Sequence, residues 1–324
     1  MNPTSGAVLR GDLNAVVEQA AGADRYHIAD AVLPAVGVSE RSGQYPVLQI
    51  AAGELLSDLS TDRKSTGSYG EVSRQWTSDT YDCVDRGLEE PVGDTDAKDL
   101  AKYFSLEAAS ARLCLRNMKI ARERRASAAI MNASTFTDYT AAAVAYTAAN
   151  IATIDFVRDV KAAIARVEDR GEIANTIVLS KTVADRLALA TLLQSYMRGT
   201  RPADAAFVIN SATLQQIFAD DGITQVLIGR SRYNSAKKGQ PASITMVWPV
   251  TYIWVGNATP AATEAGIVLG GTGHTLVWNA EGGLWVTESY RNEARRSNMV
   301  RVRQHCVEKI VNANAGTLIT TSYA

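Results

Sequence analysis

Residues 96 to 131 carry one apolar stripe at helical spacing, and this stripe constrains the chain more than any other feature. Leu100, Phe104, Ala108, Ala111, Leu115 and Met118 follow one another in steps of four, four, three, four and three, the repeat of a single helix face. Asp96 supplies an N-cap. A helix of about 32 residues rising 1.5 Å per residue is roughly 48 Å long, longer than a small domain is wide. Its polar face holds Arg112, Arg116, Lys119, Arg122, Arg124 and Arg125. The first four form a candidate basic stripe, able to touch phosphates without reading bases or to pair with an acidic segment of a neighbouring copy.

The residues before this helix read as an oversized hairpin. Residues 45–50 are an apolar strand-like run, 57–70 are polar and turn-rich, and 71–88 are extended again, with Trp76, Tyr81 and Val84. A two-stranded ribbon is marginal in water on its own, so this one needs a surface to lie on. Tyr45, Val47, Arg63, Lys64, Trp76 and Tyr81 are the candidates for meeting it. Upstream, 12–21 is a short helical candidate, and 27–38, with Pro34, reads as an extended arm.

Downstream, 132–150 is Ala/Thr-rich and reads as a linker. From Ile151 the texture is compact α/β. A helix with Phe156, Val160, Ala163, Ile164 and Val167 on one face ends at Gly171. A buried strand at 176–179 follows, then a helix from Ser180 through Leu193 and another from Ser211, ended by Gly222. Residues 223–228 and 244–255 read as strands, with Pro249 confining part of the second to an edge or bulge. In the last third, 276–278 and 284–290 flank Asn279-Ala280-Glu281-Gly282-Gly283 as an expected hairpin. From Val300 to Ile310 a long strand alternates, with Arg301 and Arg303 on its charged side, and 318–320 adds one more. The fold class is α+β.

Charge is neutral in total and polarised along the chain. The net charge is -1, without the basic excess of a dedicated nucleic-acid binder. Residues 54–96 hold 11 acids against 4 bases, residues 97–132 hold 8 bases against 3 acids, and residues 291–309 hold 6 bases against 2 acids. An acidic ribbon and two basic elements in one chain are expected to dock, in a neighbouring copy if the ribbon is too long to fold back. Cys83, Cys114 and Cys306 are far apart and odd in number, which fits neither a disulfide framework nor a zinc site and points to a reducing cytoplasm. The start lacks the pattern of a signal peptide. No apolar run reaches 18 residues, so no membrane span is expected.

Chemistry is sparse. His27, His274 and His305 sit in no metal-binding or nucleophile–base pattern, and His305 and Cys306 point to opposite faces of a strand. Gly270-Gly271-Thr272-Gly273 lacks the Lys-Ser/Thr of a phosphate loop and leads into a strand rather than a helix. Gly229-Arg230-Ser231-Arg232 lacks the closing Gly of a nucleophile elbow. No catalytic residue, metal or cofactor is expected. A soluble α/β enzyme would need a convergent site that none of these supplies.

Arm, acidic hairpin, long helix, α/β region and closing strands, in this order, resemble the Hong Kong 97 capsid fold of tailed-phage major capsid proteins and encapsulin shells. Residues 81–92 (Tyr81-Asp82-Cys83-Val84 through Pro91-Val92) resemble the return strand into that fold's spine helix. Phe218-Ala219-Asp220-Asp221-Gly222-Ile223, then Val226-Leu227-Ile228-Gly229 and Arg232-Tyr233-Asn234, resemble its axial helix, strand and loop. The resemblance implies an N-terminal arm at 1–43 and an E-loop hairpin at 44–90. It implies a P-domain with the spine helix at 91–150, an axial A-domain at 151–289 and closing P-domain strands at 290–324. It further implies pentamers and hexamers of a head enclosing double-stranded DNA, assembled in the host cytoplasm and ending in the virion. Scaffold, portal and decoration proteins become partners, and an encapsulin-like or gene-transfer-particle shell is the alternative. With the hairpin starting near residue 44, no room is expected for a fused scaffolding domain. Some members crosslink a hairpin lysine to an asparagine; Lys64, Asn312 and Asn314 are the residues to ask about here.

Overall fold

The computed structural model describes residues 7–22, 26–48, 61–63, 67, 69, 76–199, 209–259, 262–264, 267–269, 271–279 and 283–323. Two sheets share one long helix. The chain opens with β1 (Val8–Leu9) and α1 (Gly11–Gly22), then α2 (Ala29–Val32), β2 (Ala35–Val38) and β3 (Ser42–Leu48). β4 (Trp76–Asp82) and β5 (Val84–Gly93) lead to α3 (Asp94–Leu100) and α4 (Leu106–Ile130). After β6 (Thr140–Ala141) come α5 (Phe156–Glu168), β7 (Thr176–Ser180), α6 (Lys181–Leu189), α7 (Thr191–Gly199), α8 (Ser211–Ile217) and β8 (Gln225–Gly229). The remainder is strand: β9 (Arg232–Asn234), β10 (Ile244–Met246), β11 (Tyr252–Gly256), β12 (Ala262–Glu264), β13 (Ile267–Leu269), β14 (Gly273–Trp278), β15 (Val286–Asn292), β16 (Ser297–Ile310) and β17 (Gly316–Thr320).

The expected single helix is two. Residues 101–105 are exposed and break it, and the Ser105 hydroxyl restarts it by accepting the Ala108 N–H. Leu100 and Phe104 keep the spacing of the stripe, yet Phe104 is 49% exposed. The 25 residues of α4 give a rod of roughly 38 Å. Its N-terminal half packs Ala111, Leu115 and Met118 on Val300 and Val302 of β16, with Leu13 and Val17 of α1 alongside. Its C-terminal half packs Ala126 and Ile130 against Trp254 and Leu318 of the second sheet and against Trp248 in the loop between β10 and β11.

The first sheet runs β1-β15-β16-β14-β2, with β5 also on β16. Cys306 pairs with Val84 of β5 and with Val277 of β14, so these two strands lie on opposite edges of β16. The expected hairpin of 276–278 with 284–290 does not form. β14 pairs with Cys306 to Ile310, and β15 pairs with Ser297 to Arg303. They are successive segments along one edge of the long strand, because 14 residues of β16 give each a separate stretch of partners. The real hairpin is β15–β16, turned by a short 3-10 segment (Glu293–Arg295) with Arg296 in the left-handed region (φ 45°).

The second sheet runs β6-β17-β11-β7-β8. β7 is buried along its whole length: Ile177 and Leu179 face α5, Phe218 and Ile253, while Val178 faces the cluster under α4. The helix of 180–193 ends instead at Ala190 and restarts as α7, although Ser180 caps it as expected. Pro249 lies between β10 and β11, which are separate strands in separate sheets. The stretch read as a linker contributes buried Phe136 and Tyr146 and the edge strand β6. The arm read as extended contains α2.

Candidate assembly surfaces

The hairpin read from the sequence begins as a tight antiparallel pair, Ser42↔Asp82 to Leu48↔Trp76. Its root belongs to this subunit's own core. Tyr45 is 6% exposed, clustered with Val36, Cys83 and Leu276, and Val47 and Tyr81 pack around it. The Tyr45 hydroxyl donates to Asp79 (2.8 Å), which also takes Lys309 of β16 (3.4 Å). Burial works to raise the Asp79 carboxyl, but those donors and the Thr80 N–H pull it below the ordinary carboxylate value. The same hydrogen bond and burial raise the Tyr45 phenol. Tyr45, Val47 and Tyr81 are therefore anchors of the ribbon, because β3 and β4 meet the end of β16 before leaving the body. Arg63 lies with its guanidinium 4.7 Å from the Tyr69 ring centre. Lys64, the Trp76 side chain and most of 49–75 fall outside the described residues.

The pairing of this hairpin ends at Asp82. Val84–Gly93, of which residues 84–90 belong to the expected ribbon, instead runs along β16 from Val84↔Cys306 to Gly93↔Ser297. This register neutralises the basic strand within the chain. Glu288 of β15 and Glu89 of β5 stand opposite Arg301 on either side. Arg301 holds Glu89 at 3.2 Å and Glu288 at 3.6 Å, and Arg303 holds Glu288 at 2.6 Å. His305 lies 3.3 Å from Asp85, its directly paired neighbour. Arg291 binds Asp94. The acidic and basic elements do dock, but from residue 79 to 94 they dock onto each other inside one subunit, as cross-strand pairs do.

The four-residue basic stripe on the long helix is not a surface feature as a whole. Arg112 and Arg116 are exposed. Lys119 is buried and donates to the Ala21 carbonyl (2.9 Å). Arg122 is 2% exposed, pairs with Asp30 of α2 and donates to Thr275 (3.2 Å). Both lie beneath the N-terminal arm, which crosses the helix there. Glu123, which drew no attention in the sequence, is the hub of that crossing. It is fully buried and accepts from Ile28 N (3.0 Å), Ala29 N (2.9 Å), Ser231 Oγ (3.0 Å) and Trp248 Nε1 (2.7 Å). The signal was present: Glu123 is the only acid between Arg112 and Arg125.

The other sequence candidates sit as follows. Cys83, Cys114 and Cys306 are buried free thiols, and burial pushes Cys114 and Cys306 up to about 11. Asn312 caps the turn before β17 and donates to Glu172 (2.6 Å). Among the described residues no cluster of His, Cys, Asp or Glu could hold a metal, and no helix is long and apolar enough to cross a membrane.

With this arrangement in view, the comparisons decide the fold. The structure superposes on a phage-related protein from Bordetella bronchiseptica RB50 with a TM-score of 0.70 at 18% identity, covering 98% of this chain and 99% of that one. It superposes on the capsid structure of cyanophage P-SCSP1u with a TM-score of 0.58 at 11% identity, covering 92% and 88%. The chain has the capsid fold. The SrpI encapsulin of Synechococcus elongatus PCC 7942 also matches (TM-score 0.50, 11% identity, 99% and 92% covered), so the capsid fold here is the one phage heads and encapsulins share. The expected resemblance thus holds along the chain, and two of the named matches are a phage capsid and an encapsulin. No family model and no curated protein matches the sequence.

Proposed function

We propose that this chain is the major capsid protein of a tailed bacteriophage, assembling as pentamers and hexamers into a closed head around double-stranded DNA. The observation that carries the reading is the end-to-end superposition on a phage-related protein and a phage capsid, with arm, hairpin, long helix and closing strands in the same chain. In this reading β3 and β4 root an E-loop, α4 is the spine of a P-domain built on β5, β15 and β16, and α5–α8 with β7, β8 and β11 are the axial A-domain, whose sheet is completed by β6 and β17 from the stretches expected in the P-domain. The hairpin beyond Leu48 and Trp76 is the segment that reaches an adjacent subunit. Arg112 and Arg116 remain free to meet the enclosed DNA. Scaffold, portal and decoration proteins are the further partners, met during assembly in the host cytoplasm.

Heterologous contacts repeated around five-fold and six-fold axes close into rings and then shells. Negative-stain microscopy of the purified protein is the test. Closed particles are the expected result, and a strictly monomeric species at high concentration by analytical ultracentrifugation would overturn the reading. Purification from its native source separates the encapsulin-like alternative: a phage head holds DNA, an encapsulin a protein cargo.

A further inference from the structure

Between Asp221 and Glu264 the sequence contains no acidic residue, and its only charges are Arg230, Arg232, Lys237 and Lys238. All four are exposed. They lie on one small ribbon, in which β9 pairs with β10 from Arg232↔Met246 to Asn234↔Ile244. Arg124 of the long helix joins them, exposed, with its guanidinium 4.3 Å from the centre of the Tyr233 ring. Among the described residues none of these five cations has an acidic partner. By contrast, Arg301 and Arg303 of β16 and Arg122 and Arg125 of α4 are each paired with a carboxylate.

The loop that carries the lysines is held in place. Asn234 Oδ1 accepts from Ala236 N (3.1 Å) and Ser243 N (2.9 Å), Ser235 N donates to Ser243 O (2.8 Å), and Gln240 N donates to Lys237 O (3.0 Å). Gly239 takes the left-handed turn (φ +88°). At the base, the Tyr26 hydroxyl donates to Arg230 O (2.7 Å). The acids in reach are occupied. Glu123 beneath Ser231 is fully buried and bound by four donors, and Asp185, on the helix whose Thr182 touches Met246, is held by Lys181.

We propose that this ribbon, with Arg124, is a contact site for the phosphate backbone of nucleic acid, made without base reading. This deepens the shell reading and rests on it, since an enclosed nucleic acid is the polyanion such a subunit meets. Nucleic acid fits better than an acidic protein segment. Protein interfaces are depleted of lysine at their core and anchored by buried apolar side chains, and here Ile244 is the one large apolar side chain exposed on the ribbon. Phosphate contacts need positive charge on an accessible, ordered frame, which is what the ribbon offers.

The test uses unassembled full-length subunit and a short random-sequence DNA duplex, with affinity read by fluorescence anisotropy across salt. Four phosphate contacts give a slope near -3.6, so a fourfold rise in salt should weaken binding by about 150-fold. Combined Arg230→Gln, Arg232→Gln, Lys237→Gln and Lys238→Gln should remove most of that slope while circular dichroism and particle formation stay as in the parent. The loop pair Lys237→Gln/Lys238→Gln, which carries no packing, should remove about half of it and covers the event that the fourfold variant misfolds. Unchanged affinity and slope in the loop pair overturn the proposal. So does a fourfold variant that loses particles but keeps DNA affinity, which would make the ribbon a subunit contact. Particles are scored separately by microscopy, so a parent protein that binds DNA and forms none sinks the shell reading and leaves the binding result standing.

Discussion

Four donors converge on the Glu123 carboxylate, three on Oε1 and one on Oε2. In Glu123→Gln either placement of the amide nitrogen turns a donor toward at least one backbone N–H of α2 or its neighbour. A buried donor left without an acceptor costs about 1–3 kcal/mol, and urea denaturation at neutral pH should show a loss of that size with an unchanged m-value. Asp159 is a different case. It accepts from Tyr146 Oη (3.0 Å) and Ala143 N (3.3 Å), and burial pushes its carboxyl above the ordinary value against those donors. A carboxyl that holds its proton more tightly folded than unfolded gives full stability below the unfolded pKa of about 3.9. That contribution is lost as pH rises through the raised folded value. Asp79 and Asp94, both lowered, impose the opposite slope, so the difference between parent and variant is the useful quantity. Asp159→Asn should melt at a lower temperature relative to the parent in acid and recover relative to it toward neutral pH. A constant offset across that range would show that Asp159 titrates normally.

At the level of elements, the sequence was readable where one face decides. The stripe of α4, the buried face of α5 and the doubly buried β7 all stand near their expected positions, because apolar spacing alone sets them. What the spacing could not show was where a helix stops and restarts. Leu100 and Phe104 satisfy the stripe of α4, yet a hydroxyl at Ser105 makes a better start than continuation. Ala190 breaks the α6–α7 run in the same unmarked way. Pairing was harder still. The segments now in β14 and β15 look like two arms of a hairpin, since local sequence cannot reveal that a 14-residue strand is long enough to host both in file. The sites followed the same rule. Counting charges located an acidic and a basic partner correctly, but Arg301 with Glu89 and Glu288 is a cross-strand match set by register. Lys119 and Arg122 left the surface because the arm crosses them, a contact some 90 residues distant in sequence.

For the whole molecule, the question is which part of the hairpin belongs to the subunit and which to the assembly. The root is the subunit's: Tyr45 is buried, bonded to Asp79 and through it to Lys309 of β16. A fully buried side chain of this kind contributes about 1.5–3 kcal/mol, enough to hold β3 and β4 in place without help from the tip. The stretch 57–70 has little apolar material and cannot form a core of its own. Replacing residues 55 to 72 by a short Gly/Ser turn therefore leaves the register from Ser42↔Asp82 to Leu48↔Trp76 intact. The expected product is soluble and melts in one cooperative transition close to the parent. If the removed tip is what lies on a neighbouring copy, light scattering and microscopy should find no shells, because association must outweigh the loss of rotational and translational freedom and would lose a large share of its contact. Normal shells from this deletion would make the tip decoration. A chain that fails to melt cooperatively would place the tip in the subunit's own core and move the boundary between folding and assembly outward from Tyr45.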